Sequence, residues 1–129
     1  MTMNTRIVTA LLIFALLAPA KVFAEQVPVG QQYVYVLRLA PQYQEEAAWK
    51  DIQTAVIARH FERLAEAARA GKVILAGRTT ESLDKTFGLV IFEADNEAAA
   101  REFMLSDPAV VAQLMTATLH PYAVALQRK

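Results

Sequence analysis

Lys72-Val73-Ile74-Leu75-Ala76-Gly77 and, after the polar interval Arg78 to Thr86, Phe87-Gly88-Leu89-Val90-Ile91-Phe92-Glu93-Ala94 are two apolar, β-branched runs that read as adjacent strands of a hairpin. The connection is longer than a tight turn, and its tip, Glu81 to Lys85, reads as an ordinary surface loop rather than a flap. Upstream lies a long helical stretch. Its acidic start at Glu45 and Glu46 suits the positive end of a helix dipole, alanine is frequent, and Gly71 ends it after Arg69. Before it, Tyr33-Val34-Tyr35-Val36-Leu37-Arg38-Leu39 has the composition of a buried first strand, stopped by Pro41. Downstream, Asn96 or Asp95 caps a second helix running through Glu97, Ala98, Ala99, Ala100, Phe103 and Met104. A short helix opened by Asp107-Pro108 follows, and Leu119 to Leu126 alternates as a last strand. The order β-α-β-β-α-β predicts an α+β, ferredoxin-like fold, with a four-stranded antiparallel sheet and its helices on one face.

Such a sheet leaves its other face bare. Strand one offers apolar side chains to both sides, Tyr33, Tyr35 and Leu37 against Val34, Val36 and Leu39. The third strand does the same with Leu89 and Ile91 against Val90 and Phe92. Two-sided hydrophobicity predicts a homodimer packed sheet to sheet.

The start of the 129-residue chain is of another kind. Met1 to Arg6 is short and basic, Ile7 to Ala20 is almost wholly apolar, and Val22-Phe23-Ala24 has small residues where a signal peptidase needs them. A secretory signal peptide over 1–24 is expected, then a flexible leader over 25–32 and one domain over 33–127. The protein is therefore expected to be exported, in the periplasm, with no membrane span after cleavage; an uncleaved N-terminal anchor is the alternative. Removing residues 1–24 takes away Arg6 and Lys21 and no acid, leaving 11 basic residues against 13 acidic. Arg59, Arg63, Arg69 and Arg101 are dispersed among acids and read as solvated helix faces, so no cationic stripe exists for nucleic acid. With no cysteine in the chain, disulfides and thiolate metal sites are excluded.

The long helix carries an ionisable group on its apolar face. Trp49, Ile52, Val56, His60, Leu64 and Ala67 step by three or four residues, which points His60 at the core. A half-buried imidazole needs a partner or must stay neutral, and it is a common proton-transfer catalyst. Asp107 is the best candidate partner. The alternatives are a core histidine with its hydrogen bonds met and an aspartate that only caps the helix begun by Pro108. Capping does not exclude pairing, because a carboxylate has lone pairs for both. The catalytic reading requires the two groups to meet at a concave, partly apolar pocket.

Arg78 has the planar donors to clamp a carboxylate or phenolate of a substrate, or else pairs with Glu81 or Asp84. His120, extended before Pro121, is structural or lines the same pocket. His60, His120 and Asp107 match the ligand count of a metal site but lack any short ligand spacing, so neither metal nor cofactor is expected. Tyr33, Tyr35 and Tyr122 read as core or interface aromatics. No serine sits in a nucleophile elbow, which leaves proton abstraction, isomerisation or elimination on a small, partly apolar molecule as the fitting chemistry.

Several of these pieces, in this order, resemble the YCII-related (YciI-like) family of small dimeric α/β-barrel proteins. They are His60 with Leu64 and Gly71, the passage Lys72 to Gly77, Phe87 to Ala94, the alanine-rich helix ending in Asp107-Pro108, and His120-Pro121-Tyr122. The resemblance covers about Tyr33 to Gln127. It implies a site pairing His60 with Asp107, and a reaction of dehydrochlorinase, isomerase or lyase type on a small-molecule substrate. The alternative is a non-catalytic ligand-binding or structural dimer of the same fold; haem or quinone monooxygenase activity, found in other dimeric α/β barrels, has no signature here. Two positions depart from the family pattern. Arg78 stands where many members have proline, and Gln113 where many have glycine six residues after the aspartate.

Overall fold

The computed structural model describes residues 30–129. The expected signal peptide and residues 25–29 of the expected leader lie outside the described residues. In chain order the elements are β1 (Gln31–Leu39), α1 (Asp51–Arg69), β2 (Val73–Arg78), β3 (Gly88–Ala94), α2 (Glu97–Leu105), α3 (Pro108–Val111) and β4 (Met115–Pro121). Short 3-10 turns over Pro41–Tyr43 and Glu46–Ala48 lie between β1 and α1. The strands form one antiparallel sheet in the order β2-β3-β1-β4, the expected ferredoxin-like arrangement.

Boundaries moved where a local rule was overruled. β1 starts at Gln31, ahead of the expected Tyr33, because its first two residues pair with Ala94 and Glu93. The long helix begins at Asp51 instead of the acidic Glu45-Glu46, which fall on and beside a 3-10 turn; Gln53 Oε1 accepts from the Lys50 N–H at 2.9 Å and fixes the later start. β4 runs from Met115 to Pro121 rather than Leu119 to Leu126. Tyr35 sits opposite Leu119, which sets the register, and Pro121 has no N–H with which to continue the ladder.

Tyr33, Tyr35 and Leu37 of β1 pack with Val90, Phe92 and Ala94 of β3 against Leu64, Ala100 and Met104 of the helices. A second apolar cluster joins Leu39, Val56, Ala109 and Leu114. Leu39 therefore shares the helix side with Leu37, not the open side with Val34 and Val36: strand residues two apart point the same way, and Arg38 takes the open position. The open face carries Val34, Val36, Leu89 and Ile91 in register, with Leu75 of β2 opposite Ile91 and 55% exposed. Ile52 is also exposed, since it lies in the first turn of α1 ahead of the buried Val56.

Two helix ends are closed by the same device. After α1 the Lys72 N–H reaches Ala67 O and the Gly71 N–H reaches Ala68 O, with Gly71 at φ 82°. After α3 the Leu114 N–H reaches Ala109 O and the Gln113 N–H reaches Val110 O, with Gln113 at φ 57°. Both are six-to-one caps with a left-handed residue at the turn. Gln113 thus holds a left-handed backbone that favours glycine, and does so with strain. The β2–β3 loop is closed by Thr79 and Thr86, whose hydroxyls lie 3.1 Å apart, and its Leu83 packs on the second cluster as an ordered surface loop.

Candidate active site

His60 stands mid-way along α1, and Asp107 occupies the link between α2 and α3. The link is short because the Ser106 N–H still bonds Glu102 O, and Pro108 then starts the next helix. Asp107 is the N-cap of α3, its Oδ1 accepting from the Ala109 N–H at 2.9 Å. The same carboxylate meets the imidazole. His60 Nδ1 lies 2.7 Å from Oδ1 and 2.9 Å from Oδ2, and only a protonated Nδ1 can donate there. From β1 below, the Tyr35 hydroxyl donates to Oδ2 at 2.8 Å. Asp107 is wholly buried, whereas the His60 side chain is 14% exposed.

Three donors converge on one buried carboxylate. Burial works to raise the pKa of Asp107, but the His60 hydrogen bond and charge, then Tyr35 and the Ala109 amide, outweigh it and hold the group below the usual aspartate range. Burial first, and then the charge and hydrogen bond of Asp107, push the Tyr35 phenol far above an ordinary tyrosine, against an opposing pull from Arg63. In the neutral imidazole, an ionised Asp107 holding the Nδ1 proton leaves the lone pair on Nε2. Among the described residues Nε2 has no hydrogen-bond partner, and it is not sealed from solvent. The imidazole is thus oriented on one ring nitrogen and open on the other.

The other expected site residues lie elsewhere. His120 pairs across β4 with Val34 and so projects from the open face of the sheet, opposite to the Tyr35 side. Arg78 ends the edge strand β2, exposed, with Nη1 donating to Thr79 O at 3.3 Å and no ion pair to Glu81 or Asp84. Among the described residues no cluster of three metal-ligating side chains exists. Two open hollows among the described residues, of about 430 and 350 Å³, lie away from His60, one beside Gln31 and Tyr122, the other beside Gly71 and Glu93.

Two members of the cluster escaped the sequence reading. Tyr35 was legible as an inward strand residue but not as a donor to Asp107. Arg63 is not a solvated surface residue: its Nη2 donates to Phe103 O and Ser106 Oγ, both at 2.8 Å. The available signal was its place three residues after His60, which puts both on one helix face.

Fold and site together define a small α+β protein of ferredoxin-like type in which a half-buried histidine pairs with a buried aspartate. The profile of the YCII-related domain matches residues 34–119, and the chain belongs to that family. It is similar in structure to a 5-chloro-2-hydroxyhydroquinone dehydrochlorinase from Burkholderia phenoliruptrix, solved with 2,5-dihydroxybenzoquinone. The TM-score is 0.55 at 18% identity, over 71% of this chain and 93% of that one, a likeness of fold. No curated protein matches the chain.

Proposed function

We propose that the protein is an exported acid–base enzyme, a lyase or isomerase acting on a small, partly apolar molecule. The observation that carries this is the His60–Asp107 contact at 2.7 Å, with the opposite ring nitrogen unbonded among the described residues. Nε2 takes a proton from carbon or hydroxyl of the bound molecule; the electron pair left behind expels a leaving group or shifts a double bond, and the proton is returned from Nε2. Asp107 stabilises the imidazolium meanwhile without itself accepting a proton. The chlorinated aromatic handled by the structurally similar dehydrochlorinase is one molecule of this kind.

Arg78, at the exposed end of β2, is a proposed clamp only for an anionic group that extends from His60 to that edge, and the homodimer proposed from the apolar open face brings His120 into the interface. A non-catalytic ligand-binding dimer is the second reading, favoured by two hollows that lie away from His60. Mass spectrometry of small molecules that co-purify with the exported protein tests the proposal. A molecule retained by wild type and turned over, but lost or left unchanged by His60→Ala, is expected. Retention without turnover in both would favour the binding reading.

A further inference from the structure

We infer that Arg63 is a positioning residue for the pair: by bracing the end of α2 it fixes where the Asp107 carboxylate stands beside His60. The inference rests on the acid–base reading above. Arg63 lies one helical turn beyond His60 on α1, so a single rigid element carries both the imidazole and the brace that sets its partner. The brace has three contacts. Nη2 donates to Phe103 O and to Ser106 Oγ, each at 2.8 Å, and the guanidinium carbon sits 4.1 Å over the centre of the Phe103 ring. Ser106 Oγ in turn gives its own proton to Glu102 O at 2.7 Å, which ties the brace to the last turn of α2. Asp107 is the next residue. A cation over the C-terminal carbonyls of a helix is also favourable to the helix dipole.

Among the described residues Arg63 Nη1 is buried without a hydrogen-bond partner, a desolvated donor that an arginine free to reach solvent would not tolerate. The position is therefore held by the other contacts against that penalty. Lysine lacks the planar fork that bonds two acceptors while lying flat on an aromatic ring, so charge alone would not replace it. The charged and titratable groups around His60 and its partner are Arg63 from α1, Tyr35 from β1 and Asp107 ahead of α3. Lys72, ahead of β2, has its ammonium 4.8 Å from the Phe103 ring centre.

The test uses the resting protein with 15N-labelled histidine and reads the solvent exchange rate of the His60 Nδ1 proton by NMR. Arg63→Met keeps the stem and removes the fork, Arg63→Lys keeps the charge, Ser106→Ala removes one contact, and Arg101→Met is a surface control. Exchange is expected to speed up about tenfold or more in both Arg63 variants, less in Ser106→Ala, and not at all in Arg101→Met. A folded Arg63→Met protein with the wild-type rate overturns the inference, even if its melting temperature has dropped. Should that variant fail to fold, an unchanged rate in Ser106→Ala overturns it instead. No substrate enters the measurement, so an inactive wild-type protein whose Nδ1 proton still responds to Arg63 would refute the acid–base reading and leave this inference standing.

Discussion

Asp107 performs three tasks with two oxygens: it caps α3, orients His60 and receives the Tyr35 hydroxyl. Its pKa is lower folded than unfolded, so the ionised group stabilises the fold fully above the ordinary aspartate value, about 3.9, and this is lost as pH falls through the lowered folded value. Urea unfolding of wild type and Asp107→Asn should therefore differ by a constant amount from pH 7 down to about 5, and the curves should converge in stronger acid. A gap independent of pH throughout would show that ionisation of Asp107 does not contribute. Asp107→Ala strands two donors and removes the cap, and should cost on the order of 3 kcal/mol. Tyr35→Phe removes one bond to a charged acceptor that keeps its other donors, and should cost about 1.5 kcal/mol in the same assay. His60 and Asp107 were legible in the sequence because a histidine interrupted an apolar helical row and an Asp-Pro pair announced a cap. Arg63 was not, because an arginine on a helix looks the same in sequence whether its head reaches water or bends back onto a neighbouring helix.

Composition and periodicity carry the kind and order of the elements, and their edges lie where strand pairing overrules composition. β4 is set by its ladder with β1, a long-range contact that no alternation within Leu119 to Leu126 could reveal. The turn after α3 gives a sharper lesson. Gln113 holds a left-handed backbone that favours glycine, so Gln113→Gly should stabilise the protein by about 0.5–1 kcal/mol, whereas Gly71→Ala, at the matching turn after α1, should cost about 1 kcal/mol. Thermal unfolding of the two variants would give shifts of opposite sign. Equal signs would mean that the backbone angle is not the controlling quantity. Because the turn leads directly into Leu114 and the second apolar cluster, relief of strain there should leave the His60–Asp107 geometry intact.

At the scale of the molecule, one sheet separates two surfaces of different character. The helix face holds the histidine–aspartate cluster; the open face shows Val36, Leu75, Leu89 and Ile91, with no helix among the described residues packed above them. Hydrophobic patterning made this imbalance legible from sequence, since both faces of β1 and β3 are apolar. It could not show which hollows would form, and those found lie off the cluster. If a second copy covers the open face, Ile91→Lys should turn a dimer into a folded monomer in sedimentation equilibrium. A wild-type monomer at the same concentration would contradict the proposed assembly. The central claim is that His60 Nε2 exchanges a proton with a bound molecule. Its most direct test is uptake of solvent deuterium by the co-purifying ligand, followed by mass spectrometry with wild-type and His60→Ala protein. The account predicts uptake that falls by about 100- to 10,000-fold in the variant; uptake at the same rate in both would contradict it.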